Sequence, residues 1–222
     1  IMSKGGYTSV PIILAAKFLR IPIVVHESDS LPGKANKLAA RFAETVVVSY
    51  PETHELFDNS NVVHLGIPIR SALLAPQSEQ PLQAFNIEAN HPLILVLGGS
   101  QGAERVNELI LDSLDELLPS FSIIHQTGKM NFEVCKSSAD ALILDDTLRS
   151  RYHPIAFLEG SELNDAYHLA SIIISRAGSN SIFEIALHGK PSILIPIPET
   201  ISHDQRTNAY TYARSGATTV ME

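Results

Sequence analysis

The sequence predicts an α/β protein made of two doubly wound, Rossmann-like halves with parallel sheets, the first half incomplete and entered midway. Two observations carry this. Short, nearly all-apolar strands alternate with helical patterns along the 222 residues, as parallel strands covered on both faces do. Twice in the second half, a buried strand runs straight into a Gly/Ser turn and a helix start. Leu93–Leu97 enters Gly98-Gly99-Ser100-Gln101-Gly102, and the strand at 171–174 enters Ser175-Arg176-Ala177-Gly178-Ser179.

Taken in order, Ser9 precedes Pro11 and an apolar run over 12–19, which reads as a capped helix with proline in its first turn. Pro22-Ile23-Val24-Val25 is a short buried strand that delivers His26-Glu27-Ser28-Asp29 at its exit. Pro32-Gly33 breaks the chain before a helix at 34–42, and strands follow at Thr45–Val48 and 61–64. Proline, glutamine and serine mark 73–91 as a linker, which sets domains at 1–72 and 92–222. Beyond it the alternation is regular: helix 103–118, strand 122–125, helix and loop 129–150, strand 154–157 and helix 161–169. Strand 171–174, helix 179–188, strand 192–195 and helix 204–214 complete it. Both ends, Ile1 and the strand-like residues before Glu222, read as internal to a longer chain.

Composition narrows the function. A formal charge of −8 argues against a nucleic-acid partner. Residues 1–50 nevertheless hold six Lys/Arg against three acids, so the other 172 carry −11. That asymmetry suits either a solvated face or a basic face meeting an anionic membrane. The first helix, with Val10, Ile12, Ile13, Leu14, Phe18 and Leu19 between basic residues, reads mainly as a core helix with its basic ends toward lipid. Lys17 and Arg20 interrupt the only long apolar stretch near the start, so no membrane-spanning helix is expected. Cys135 is alone, so no intrachain disulfide forms. No histidine pair or Cys/His cluster has metal-ligand spacing, so neither a metal nor another cofactor is expected.

The chemistry sits at strand exits, where open α/β sheets bind ligands. The Gly98–Gly102 turn does not fit G-x-G-x-x-G, yet a strand, a glycine turn and a helix N-terminus make an anion site. The second such turn places Ser179, Asn180 and Ser181 at a helix start and Glu184 within its first turns. A carboxylate there accepts from the two hydroxyls of a ribose, or simply complements the helix dipole. Two such turns in one half favour a nucleotide. Polar residues opening the helix at 204–214, Gln205 among them, suit sugar hydroxyls, and a helix cap explains Asp204 equally well. His26 and Glu27 are the acid/base candidates of the first half, with Asp29 beside them.

Gly5-Gly6-Tyr7, His26-Glu27-Ser28-Asp29, Gly98-Gly99-Ser100-Gln101-Gly102-Ala103, His125-Gln126-Thr127-Gly128-Lys129 and Ser175-Arg176-Ala177-Gly178 stand in the order seen in the MurG family. These are the peptidoglycan N-acetylglucosaminyltransferases of the GT-B fold, and the sequence resembles them over nearly its whole length. The resemblance implies transfer of N-acetylglucosamine from UDP-N-acetylglucosamine to lipid I, the undecaprenyl-pyrophosphoryl-muramoyl-pentapeptide, with inversion, giving lipid II for the cell wall. It implies no required metal, a helix dipole and backbone N–H groups that stabilise the leaving UDP, and peripheral attachment to the cytoplasmic face of the plasma membrane.

Residue by residue, the resemblance assigns diphosphate contacts to Ser100 and the Gly98–Gly102 loop, including Gly99 and Gln101. Arg70 closes the donor site from the hinge, and the Leu158 backbone reads the uracil edge. Glu184 holds the ribose, Ser179, Asn180 and Ser181 lie near the phosphates, and Gln205 meets the donor sugar. His26, Glu27 and Asp29 line the acceptor-facing cleft as catalytic candidates. It also implies that the chain is an internal fragment, lacking an N-terminal glycine-rich loop and a C-terminal helical region. A UDP-N-acetylglucosamine 2-epimerase and a non-catalytic UDP-sugar-binding module are the rival readings.

Overall fold

A computed structural model describes residues 1–58, 61–88, 90–99, 103–198 and 203–222. They form two compact units. The first is Ile1–Pro68 with Gly178–Asn180 and Ile197–Thr211; the second is Ile69–Ala177 with Ser181–Pro196 and Tyr212–Glu222.

The first unit holds a parallel sheet of β1 (Met2–Ser3), β2 (Val24–Glu27), β3 (Thr45–Val48) and β4 (Val62–His64), in that order. α1 (Ser9–Phe18) and α2 (Lys34–Ala40) make the first two crossovers, and a 3-10 helix at Pro51–Leu56 lies in the third. Ile13 and Ala16 of α1 and Ala39 and Ala40 of α2 close over Val25, Val46 and Val48 to make its core. Two expectations shift here. The strand expected at 22–25 begins later, because its pairing with β3 runs from Val24↔Thr45 to Glu27↔Val48. His26 and Glu27 therefore lie within a buried strand rather than past its end. Ser9 is the first residue of α1, not its cap, and its hydroxyl donates back to the Gly6 carbonyl at 2.7 Å. α1 is also less of a core helix than its sequence suggests: Ile13 is buried, but Ile12, Leu14, Phe18 and Leu19 are exposed.

The second unit holds a six-stranded sheet. Its strands are β5 (Leu93–Leu97), β6 (Ser122–Gln126), β7 (Tyr152–Ile155), β8 (Ile172–Ser175), β9 (Ser192–Leu194) and β10 (Thr218–Val220). Their spatial order is β10-β9-β8-β5-β6-β7, with every pairing parallel. β5 and β6 are buried at every residue; β5 is apolar throughout, as a strand covered on both faces requires, whereas β6 buries Ser122, His125 and Gln126 as well. Val106 and Ile110 of α4 (Glu104–Asp112), Leu114 of α5 (Leu114–Leu117) and Ala139 of α6 (Phe132–Leu142) pack on Ile94, Val96 and Ile123. The single helix expected over 103–118 is broken at Ser113, whose hydroxyl donates to the Leu109 carbonyl at 2.8 Å, a bond that competes with the helical ladder. β7 starts at Tyr152, two residues before the expected strand, and takes Pro154 into an edge position, where no ladder donor is missed on the outer side. α7 (Asp146–Arg149) precedes it, and α8 (Gly160–Leu169), α9 (Ser179–Leu187) and α10 (His203–Ala213) follow.

Residues 73–91, expected as linker, pack within this unit. They carry α3 (Pro81–Ala84) and bury Leu73, Phe85 and Ile87. Ser78 donates through N and Oγ to the Asp165 carboxylate at 2.8 and 2.6 Å, and Asn164 Nδ2 donates to the Ala75 carbonyl at 3.1 Å. Proline and serine here signal irregular backbone anchored to α8, not a detached tether. No helix among the described residues is long and apolar enough to cross a membrane.

Candidate functional site

In the second unit the strand order reverses between β5 and β8, whose ends are in register at Leu97↔Ser175. A crevice at the carboxyl ends of two such strands is where doubly wound sheets take ligands. Gly98 and Gly99 follow β5 there, and Ser175 at the end of β8 leads into the second turn. A Cβ on Gly98 would lie 2.9 Å from the Ala103 nitrogen and 3.3 Å from the Gln126 carbonyl, and Gly99 has φ +82°. The first position thus admits only glycine for want of space, the second prefers it for its backbone. Ser100, Gln101 and Gly102 lie outside the described residues. The second turn leads from Ser175 into α9, and it carries Arg176, a half-buried guanidinium with no carboxylate in ion-pair range among the described residues. Burial lowers its pKa from the usual arginine value.

Glu184, on α9, is buried, and its carboxylate has four hydrogen bonds. Arg70 donates to Oε1 from Nε (3.0 Å) and Nη2 (2.7 Å), and Nη2 also reaches Oε2 at 2.8 Å. The Tyr167 hydroxyl donates to Oε2 at 3.1 Å. Burial first, and the neighbouring Glu184 charge second, hold the Tyr167 pKa well above its ordinary value, so this hydroxyl keeps its proton. The His188 ring stacks on Tyr167 at 4.5 Å and fixes its position. Arg70 and Glu184, expected to meet a ligand separately, are here each other's partners.

Gln126, at the exit of β6, links two loops at the carboxyl edge of the sheet. Its Oε1 accepts from the Leu158 N–H at 2.9 Å, and its Nε2 approaches the Gly99 carbonyl at 3.5 Å. The Leu158 N–H, expected to read a base edge, is therefore committed to Gln126. His125, the preceding residue, is fully buried between Tyr152 and Asn107.

In the first unit, Glu27 organises the loop after β2. Its oxygens accept from the Asp29 N–H (3.1 Å), the Gly33 N–H (3.0 Å) and Asn36 Nδ2 (2.9 Å). Burial raises its pKa, and these hydrogen bonds oppose the shift without cancelling it. His26 is buried, with Nε2 donating to the Gly66 carbonyl at 3.1 Å. Asp29 accepts from Ser179 Oγ at 2.5 Å and from Asn208 Nδ2 at 2.8 Å. Asn208, fully buried, also takes the Ser30 N–H on Oδ1 at 2.8 Å. Gln205 Oε1 accepts from the Ile197 N–H at 3.2 Å, while Asn180 is exposed and Ser181 half-buried. Beside the loop is a cavity of about 530 Å³, lined among others by Lys4, Gly5, Tyr7, Asp29, Lys34 and Asn36. Thus Asp29 and Glu27 both line this cavity, whereas His26 does not. Asn36 and Tyr167 had no sequence signal of their own, since each acts through partners outside its own stretch of chain, whereas Gln126 stands in one of the quoted motifs.

Comparison with known proteins agrees with this geometry. Residues 93–222 match the glycosyltransferase family 28 C-terminal domain and residues 1–48 its N-terminal domain. A protein of Treponema denticola named UDP-N-acetylglucosamine–N-acetylmuramyl-(pentapeptide) pyrophosphoryl-undecaprenol N-acetylglucosamine transferase is 38% identical over the whole chain. The chain spans 58% of that relative's length. The crystal structure of Acinetobacter baumannii MurG superposes with a TM-score of 0.76 at 28% identity, over 99% of this chain and 58% of that one. A UDP-GlcNAc 2-epimerase from Neisseria meningitidis, bound to UDP-GlcNAc, shares the fold, with a TM-score of 0.61 at 18% identity over 86% of this chain and 57% of that one.

Proposed function

The chain belongs to glycosyltransferase family 28, and from that premise we propose that it carries the donor-binding half and part of the acceptor half of an inverting N-acetylglucosaminyltransferase. The donor is UDP-N-acetylglucosamine and the acceptor lipid I, whose sugar hydroxyl attacks the anomeric carbon as the bond to UDP breaks. One new glycosidic bond replaces the sugar–phosphate bond, the hydroxyl proton leaves to a base, and UDP carries away the electron pair. The observation that carries the reading is the crevice at the β5/β8 reversal, with two glycine turns, two helix starts and a buried carboxylate.

Each part has a task in this reading. Helix N-termini and a guanidinium offset the charge that grows on the departing diphosphate, fixed in place before the reaction. Glu184 accepts from the ribose, and the Leu158 edge meets the base once Gln126 yields its N–H. In the first unit, Glu27 and His26 are positioning residues that present Asp29 to the cavity where the acceptor would lie. The epimerase alternative shares the nucleotide crevice and differs in the reaction at the sugar.

The same reading places the protein on the cytoplasmic face of the membrane, where its lipid-linked acceptor resides. Exposed Ile12, Leu14, Phe18 and Leu19 on and beside α1, flanked by Lys17 and Arg20, suit an anionic lipid surface.

The test is calorimetric titration of this chain with UDP-N-acetylglucosamine, beside Glu184→Ala. Saturable binding that UDP competes away and the substitution weakens at least about tenfold supports the donor site, since the carboxylate's hydrogen bonds are charge-assisted. A chain that is folded by circular dichroism and binds neither UDP nor the UDP-sugar overturns it.

A further inference from the structure

We propose that Arg70 is a resident substitute for the nucleotide: it fills the Glu184 carboxylate while the crevice is empty, and it passes to the diphosphate when a nucleoside diphosphate binds. The inference rests on the donor reading above and adds to it a coupling between ribose and phosphate recognition.

The argument begins with valence. An ionised carboxylate offers roughly four lone-pair positions. Three contacts from Arg70 and one from Tyr167 take them up. Two ribose hydroxyls consequently find no free acceptor on Glu184 until one of these donors leaves.

Exposure identifies which donor leaves. Tyr167 is fully buried and stacked on His188, so its hydroxyl stays. The Glu184 side chain is 9% exposed and fixed on α9, whereas that of Arg70 is 51% exposed and begins at the edge of an irregular segment. The guanidinium therefore swings at little steric cost, and the carboxylate does not.

Charge then sets the condition for exchange. Removing the cation from a buried carboxylate is unfavourable when only neutral hydroxyls replace it. A ligand that also brings a diphosphate gives the released guanidinium a bidentate partner. A nucleoside alone must break the Arg70–Glu184 pair uncompensated. A nucleoside diphosphate exchanges it. Arg70 thus penalises every ligand that has the base and ribose but lacks the phosphates.

The experiment measures the affinities of uridine and UDP by calorimetry for the wild-type chain and for Arg70→Gln, with circular dichroism and thermal melts to establish that both fold. The exchange predicts opposite movements. Uridine binds more tightly to Arg70→Gln, about tenfold if the pair is closed nine-tenths of the time in the wild type. UDP binds about tenfold more weakly, having lost a charge-assisted contact. If both ligands weaken, Arg70 merely holds Glu184 in place and the proposal is wrong. If uridine is unchanged while UDP weakens, Arg70 is a phosphate contact without exchange, and the proposal is also wrong. If folded wild-type chain binds neither ligand, the donor reading itself fails, an outcome distinct from both. Should Arg70→Gln not fold, Arg70→Met carries the same test: it too removes the cation while keeping the side chain's bulk, so uridine must tighten and UDP must weaken.

Discussion

His125 Nε2 lies 3.0 Å from Asn107 Oδ1, and this pair defines the protonation of the ring. Asn107 cannot present its nitrogen instead, because Nδ2 donates to the Thr127 carbonyl at 3.0 Å. The ring proton therefore sits on Nε2, and Nδ1 accepts from the Tyr152 hydroxyl at 2.8 Å. A neutral imidazole satisfies every member of this buried network, and an imidazolium does not.

Acid therefore weakens the second unit, with His125 the histidine whose pKa burial lowers furthest and His153 and His188 lowered in the same direction. Burial lowers the His125 pKa from 6.5 to about 4. The folded pKa is depressed, so the unfolded chain binds the extra proton between those values, and stability falls as pH drops from 6.5 toward 4. Two and a half pKa steps correspond to about 3 kcal/mol. Urea unfolding of wild type and His125→Gln at pH 7 and pH 4 should show the wild-type advantage shrinking by about that much. A gap that stays constant across this range would contradict the neutral, buried ring.

Truncating Glu27 removes the acceptor for three donors at once. The Asp29 and Gly33 amides and Asn36 Nδ2 would lose their partner in and around a buried loop. With each orphaned donor worth about 1–3 kcal/mol, Glu27→Ala should cost about 3 kcal/mol or more. Hydrogen exchange at the Asp29 and Gly33 amides should accelerate beyond the global effect. Uniform acceleration across the first unit would mean that Glu27 does not act locally on this loop.

The glycines after β5 should respond differently to the same methyl group. At Gly98 the added Cβ meets backbone at 2.9 Å, so alanine should cost about 1–3 kcal/mol through overpacking. No asparagine or serine recovers that loss. At Gly99 the space is open and the cost comes from φ +82°. Alanine there should cost about 1–2 kcal/mol, and asparagine less, because it tolerates the left-handed region. Thermal melts of the four variants check this ordering.

Phe18, 86% exposed at the end of α1, should matter to lipid and not to folding. Phe18→Asp should leave unfolding free energy within about 0.5 kcal/mol and lower co-sedimentation with anionic vesicles several-fold. Binding of the wild type should also weaken with added salt, because the attraction of Lys17 and Arg20 is screened. Equal sedimentation of both proteins would remove α1 from the membrane contact.

Much of the fold was legible because its signals are local. β5 announces itself as five apolar residues between Pro92 and Gly98, and β3 coincides with Thr45-Val46-Val47-Val48. Strand ends were less so. β2 runs past Val25 into His26 and Glu27 because pairing with β3, not side-chain polarity, decides where a strand stops. That difference buries both acid/base candidates, with Glu27 still at the wall of the cavity. The glycine turns and Glu184 were visible as a pattern, but the partners of Glu184 were not. Arg70 lies 114 residues away and Tyr167 17, and no periodicity links them. α1, read from sequence as a core or bilayer-surface helix with core favoured, leaves Ile12, Leu14, Phe18 and Leu19 exposed, because hydrophobic content predicts burial and only the sheet beneath decides which side receives it.

The strand order also has a kinetic meaning. β5, β6 and β7 pair with sequence neighbours, as do β8, β9 and β10, and only the β5–β8 ladder joins the two trios. That seam brings Leu97 beside Ser175 across most of the second unit, so its loop-closure entropy falls due before its contacts form. Neither trio alone contains a crevice. If the proposed donor site lies at this reversal, it forms at the moment of zipping, and a ligand lodged there would act as a clamp on one seam. Its grip should register as slower unfolding of the whole sheet rather than as stiffening of a single loop.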